Sequence, residues 1–348
     1  MLSIEPLMDD GLNACSHFLV LSVLNHWGLD HELMYAQAWG FEFAPPGTKG
    51  QGIWNRGDLG PRLYYRSDER IFINLFLFHG VQVYQSGCES IDQLYALLDE
   101  QLQQELPVII FIDTYYLPWL ERFYQKEHST HSVLVTGMTL DKSLYCNDTP
   151  PFFQPPVKNQ LLGYQQVKEA FREQVYIFRR CKAPGKIQDA IPVIQKKAQA
   201  LLERDKDKNA FEKMREFADY LQRNPILPSD MEEFGGGSGI LLRAFRNIIR
   251  DRVNFSNALL YMARQCHLTL YQELYDQFQE SIRIWTEIKS VCYKAYLKNQ
   301  LLDKQDLLAA FVCQAAKIEE KIAEQICFVE EEGTYAYQRS ITKTSAIG

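Results

Sequence analysis

No stretch of the chain approaches the ~18 consecutive apolar residues that a membrane span requires. No basic surplus offers the footprint of a nucleic-acid binder, since the formal net charge is −7. No CxxC pair exists among the cysteines at 15, 88, 146, 181, 266, 292, 313 and 327, which excludes a zinc ribbon or a thioredoxin-like site. Eight cysteines in 348 residues are also too few for a disulfide scaffold, so most are expected to be reduced core residues. The 19 glycines and 14 prolines are scattered, which excludes collagen-like and low-complexity architecture. Neither GxxxxGK[ST] nor GxGxxG occurs. The first ten residues, MLSIEPLMDD, lack the basic stretch of a secretory signal, and a cytoplasmic protein is expected.

What remains is ordinary globular composition, 46% hydrophobic and 23% charged, in a chain long enough for two domains. The halves differ in charge. Residues 1–180 hold 13 Lys/Arg against 21 Asp/Glu, and residues 181–348 hold 24 against 23. They differ in pattern too. The first half mixes periods: helices are expected over 13–27 (Asn13 as cap, Gly28 as stop), 67–79 (Ser67 as cap) and 90–105, where Ser90 and Gln93 form a capping box. Strands are expected at Val81–Tyr84, Val108–Ile112, His131–Thr139, Ser143–Asn147 and Gln174–Arg180, with an aromatic-rich loop over 40–66. From Gln188 onward the pattern is helical, with amphipathic runs at 188–204, 209–223, 239–265, 267–299 and 303–330. Phe234–Gly239 breaks it, Ala183-Pro184-Gly185 reads as a linker, and 333–348 as a flexible tail. The expected organisation is α+β: a catalytic domain over 1–182, then an all-helical domain over 183–332.

Three residues of the first half suit one chemistry. Cys15 stands at the start of a predicted helix, where unpaired N–H groups and the helix dipole favour a thiolate. His131 opens a strand, and Asp148 ends the next one, so a hairpin brings them side by side. A histidine moves protons near neutral pH, and a carboxylate fixes its tautomer and supports the imidazolium. Asn147 is the competing orienting group, and Asn-Asp-Thr-Pro is also plain turn chemistry.

Cys15 ahead of an apolar helix, the run LLDEQLQQELPVIIFID, the strand HSVLVTG and the Asn147-Asp148 pair before Pro150-Pro151 together resemble the papain-like cysteine enzymes of the bacteriocin-leader-peptidase type. With the helical second half, and the phrase from Gly235 to Arg246, the chain resembles the family of butirosin biosynthesis protein H. That resemblance implies acyl transfer from the pantetheine thioester of an acyl or peptidyl carrier protein to a small-molecule amine, in antibiotic or nonribosomal-peptide assembly. That chemistry needs no metal or redox cofactor, and charge and hydropathy argue against a nucleic-acid or membrane partner. One departure stands out: papain-like enzymes commonly place a Gln about six residues before the nucleophile, and Asp9 is there instead. Asn13 is the candidate oxyanion donor, beside the Cys15 backbone N–H. A weak oxyanion site favours a thioester, because a thiolate leaves easily.

Two other classes stay open: a cysteine peptidase or thioesterase using the same triad, and a non-catalytic binding module. Four further features have plainer readings. His17, His26 and His31 lie close in sequence, but no carboxylate or cysteine completes a metal set. The Gly-rich segment 44–62 reads as irregular structure or a substrate-cleft loop. Arg243, Arg246 and Arg250 share a helical face, more simply solvated than phosphate-binding. The aromatics of the second half read as helix–helix core.

Overall fold

The computed structural model describes residues 1–45, 59–64, 70–151, 154–181, 185–205, 207–231 and 239–344, without the side chains of 61, 64 and 329–344. Its helices are α1 (Cys15–His26), α2 (Ile71–His79), α3 (Ile91–Gln103), α4 (Tyr164–Ala170), α5 (Ala190–Leu202), α6 (Ala210–Arg223), α7 (Pro228–Met231), α8 (Ile240–Cys266), α9 (Thr269–Leu297) and α10 (Gln305–Thr344). Its strands are β1 (Glu42–Phe43), β2 (Leu63–Tyr64), β3 (Val81–Gly87), β4 (Val108–Asp113), β5 (Thr130–Met138), β6 (Leu144–Asp148), β7 (Val157–Leu162) and β8 (Phe171–Arg180). The architecture is mixed α and β, with an antiparallel sheet in the N-terminal region and helices after it.

Two compact units form: Met1–Met34 with Phe72–Gly185, and Tyr35–Ile71 with Lys186–Gly348. The first is built on a six-stranded antiparallel sheet of order β3-β8-β4-β5-β6-β7. Strand alternation divides its side chains. Val108, Ile110 and Ile112 of β4, with Val133 and Val135 of β5, join Leu94 and Leu98 of α3 and Val167 of α4 in one core. On the other face, α1 packs against β5, and Trp27 meets Phe178 edge-on at 5.9 Å. Phe72 of α2 meets Tyr176, which meets Phe111.

Local chemistry fixes the α3 ends as expected. The Ser90 hydroxyl accepts the Gln93 N–H at 3.2 Å, and the Gln93 side chain accepts the Glu89 N–H. Two elements of this unit go beyond the expected set. Strand β7 (VKNQLL) and helix α4 are short and weakly patterned, and β7 owes its state to pairing with β6. The expected cap Ser67 and the linker 183–184 lie outside the described residues.

The second unit is helical, and its long runs fall where amphipathic periodicity put them. It also takes in residues 35–71, which the sequence reading kept within 1–182. The reason is packing. Trp39 stacks against Phe211, Phe255 and Phe278, and Phe41 and Phe43 lie on Phe217. Helix α10 continues through 333–344, where a tail was expected; 345–348 lie outside the described residues. The expectation of a solvated arginine face is corrected at Arg250, which is buried and paired with Asp251, while Arg243 and Arg246 are half-buried. The Gly-rich break at 234–238 and most of 44–62 fall outside the described residues.

Candidate active site

The N-terminal segment is sewn onto the sheet before α1 begins. The Leu2 N–H reaches the Thr136 carbonyl, the Asn147 side chain donates to the Ile4 carbonyl at 2.7 Å, and the Thr149 hydroxyl donates to the Leu7 carbonyl. Residues 9–13 then turn through carboxylate-capped loops. Asp9 accepts the Gly11 N–H, and Asp10 accepts the N–H groups of Leu12 and Asn13. Helix α1 opens at Cys15 with Ala14, not the expected Asn13, as its N-cap, and no side chain caps it. Cys15 therefore stands in the first turn, the end of the helix where backbone N–H groups lack helical partners.

Cys15 is half-buried. The Ser132 hydroxyl donates to its Sγ at 3.2 Å, and the His131 imidazole lies close enough to favour its charged form. The ring nitrogen Nε2 lies 2.7 Å from Asp148 Oδ1, so Nδ1 is the one that serves the sulfur. His131 and Asp148 are buried. The second carboxylate oxygen, Oδ2, accepts the Trp119 indole N–H at 2.7 Å. The structure thus brings Cys15, His131 and Asp148 into one chain of contacts. Asn147 points elsewhere: its amide is spent on the Ile4 carbonyl and the Asn159 N–H.

Electrostatics follow from this geometry. Burial opposes ionisation of Cys15, but the charge and closeness of His131 and the Ser132 hydrogen bond outweigh it and hold the thiol below its ordinary value. Burial likewise opposes the charged form of His131, but Asp148 and Cys15 raise it well above its ordinary value. Both shifts run toward an ion pair, a thiolate facing an imidazolium. Cys146 nearby is the opposite case: burial pushes its thiol far up, so it is inert.

Asn13, the oxyanion candidate, donates its side-chain amide to Asp10 Oδ2 at 3.3 Å. His17, His26 and His31 belong to no metal-binding group among the described residues.

Two contributors were absent from the sequence reading. Ser132 follows His131, and strand alternation argues that neighbours point to opposite faces. Both nonetheless reach Cys15 at the end of β5. Trp119 lies in a loop whose path no local pattern reveals. No helix among the described residues is long and apolar enough to cross a membrane.

No curated protein matches the chain. Residues 15–149 match the family model described as butirosin biosynthesis protein H, N-terminal, a span from Cys15 to the residue after Asp148. The match does not reach the second unit's helices, nor the phrase from Gly235 to Arg246. Over residues 15–149 the chain is thus similar to the N-terminal part of the butirosin biosynthesis protein H family.

Proposed function

We propose that this protein is a cysteine-dependent acyltransferase of natural-product biosynthesis. The single observation that carries the reading is the convergence of the Cys15 thiol, held low, with His131 and Asp148. On this reading the first unit is a papain-like catalytic domain working in the cytoplasm. The catalytic part then lies within residues 1–182 and the helical part within 183–332, and the described residues of 35–71 cluster with the helical unit.

The donor is an acyl thioester on the pantetheine arm of a carrier protein. The Cys15 thiolate attacks the thioester carbonyl, and the oxyanion faces the N–H groups of the first turn of α1. The bond to the pantetheine sulfur breaks, and the departing thiolate takes the proton from His131. The acyl group now rests on Cys15 as a new thioester. A small-molecule amine then attacks that carbonyl, neutral His131 accepts the amine proton, and Cys15 leaves as thiolate. The resting ion pair is restored, and the net product is an amide.

The loop chemistry supports a thioester over a peptide bond. With the Asn13 amide tied to Asp10 and Asp9 six residues before the nucleophile, side-chain oxyanion donors are weak. Losing one such donor typically costs ~2.7–4 kcal/mol of transition-state stabilisation. A thioester tolerates that loss because its leaving group is good.

Intact-protein mass spectrometry after mixing with an acyl-pantetheine thioester tests the reading. The wild type is expected to gain the acyl mass, and Cys15→Ala to gain none. Adding candidate amines then converts the adduct to amide. Release of free acid alone, whatever amine is supplied, would make the protein a thioesterase or peptidase. No adduct and no thioester loss across a broad acyl panel, with Cys15 also slow toward iodoacetamide, would make it a binding module.

A further inference from the structure

A second polar cluster lies at the same end of the sheet as Cys15 and takes no part in the chemistry above. Asp113 closes β4 and is fully buried, yet its carboxylate faces three donors. It meets His128 Nδ1 at 2.7 Å, an Arg172 guanidinium nitrogen, and the Tyr115 backbone N–H at 3.0 Å. Burial opposes the charged form of Asp113, but these hydrogen bonds and the Arg172 charge hold its carboxyl below the ordinary value. The two side chains it holds are not buried: His128 is 62% exposed and Arg172 45%. The His128 ring also lies flat on Tyr115, with centroids 4.3 Å apart. Among the described residues, no further hydrogen bond engages His128 Nε2 or the other Arg172 donors.

Arg172 reaches Asp113 through a backbone irregularity. Between the pairs Ile110↔Val175 and Ile112↔Phe171, β4 spends one residue and β8 spends three. Arg172 lies in that bulge, beside Glu173 at φ 56°. Bulges of this kind re-aim side chains next to functional sites.

The register fixes the position. Phe111 pairs with Ser132, whose hydroxyl touches Cys15, and Asp113 lies two residues further along β4, about 7 Å at the strand rise. A buried carboxylate therefore holds an exposed guanidinium and an exposed imidazole, with donors unused, two strand positions from the residue paired with Ser132.

We infer that Arg172 and His128, positioned by Asp113, form an anion subsite for the oxyanion group of the acyl donor. A guanidinium with free donors suits a phosphate or carboxylate. The inference rests on the reading of Cys15 as the nucleophile for a pantetheine thioester, and it names which part of that donor this cluster grips. The group is the phosphate of the pantetheine arm or a carboxylate on the acyl chain.

Protection of Cys15 from iodoacetamide tests it without requiring turnover. The probes are 4′-phosphopantetheine against pantetheine, and S-(3-carboxypropyl)pantetheine against its amide. In the wild type, the anionic member of one pair is expected to protect at least tenfold better than its neutral partner. Which pair shows the difference identifies the group. The advantage is expected to collapse to about unity in Arg172→Ala and to shrink in His128→Gln. The ratio within one variant is insensitive to partial misfolding, and exposed His128 can be replaced without opening a core. Equal protection by both members of each pair, or an advantage that survives both variants, would overturn the subsite. If acyl adducts still form on Cys15 in that case, the nucleophile reading stands alone; if phosphopantetheine protects through Arg172 but no adduct ever forms, the acyltransferase reading fails and the subsite survives.

Discussion

Each group around Cys15 has a separable task. Ser132 and His131 both stabilise the thiolate, so Ser132→Ala should shift the pH profile of iodoacetamide alkylation to higher pH. Asp148→Asn should shift it in the same direction, because the carboxylate is the largest favourable influence on the charged form of His131, and losing that charge outweighs relief of the smaller direct repulsion between Asp148 and the thiolate. The wild-type profile should hold its rate below the ordinary thiol range, and fall only where the thiolate itself is protonated. Acyl transfer by the Asp148 variant should drop about 10²–10⁴-fold. Trp119 acts one step further out. Trp119→Phe leaves a buried carboxylate oxygen without its donor, a cost of ~1–3 kcal/mol. If it falls on the orientation of His131, the acylation rate drops about 5–150-fold. Phenylalanine keeps the ring, so single-turnover kinetics that match the wild type would show the indole N–H to be dispensable.

Elements explain why some of this was legible in advance. The helix α1, the helix–strand pair α3–β4 and the hairpin β5–β6 announce themselves by period, the Ser90 cap and the turn at Asp141-Lys142, and α1 and the hairpin carry Cys15, His131 and Asp148. The Ser90 cap is the cleanest case, since its partner lies three residues away. Ser90→Ala should lower stability by about 1 kcal/mol in a denaturant titration. It should leave alkylation of Cys15 as it is, because α3 packs on the sheet face away from α1. An altered alkylation rate would mean that the two faces are coupled. The β8 bulge and strand β7 were not legible, because each is defined by its partner strand. Ser132 and Trp119 were missed for the same reason: they meet Cys15 and Asp148 only after the sheet has closed.

At the scale of the whole chain, the feature that local pattern misplaced is the segment 35–71. Its aromatics carry no address in the sequence; what claims them is a buried charge in the second unit. Glu319 lies on α10 with no exposed surface. It accepts the indole N–H groups of Trp39 and Trp285 at 2.8 and 2.9 Å, the Ser281 hydroxyl at 2.6 Å, and two nitrogens of buried Arg252. Arg252 donates in turn to the carbonyl of Gly40, so one ion pair ties the segment beside Trp39 to α8, α9 and α10. Burial alone would favour the neutral acid, but Arg252 and the hydrogen bonds hold its carboxyl below the ordinary value. The sign of the pH effect follows. A carboxyl lower in the folded state than in the unfolded chain contributes stability above the unfolded value of about 4.3, and that contribution is lost as pH falls through the folded value. Acid should therefore loosen this unit below about pH 4.3, read as a red shift of tryptophan emission. Glu319→Gln keeps the size of the side chain but leaves Arg252 charged and uncompensated in the core, at a cost of about 3–5 kcal/mol. The variant should start less stable at neutral pH and lose less on acidification. A variant as stable as the wild type would show that hydrogen bonding by the neutral amide suffices, and that the charge on Glu319 does not hold Trp39 and Gly40 in place.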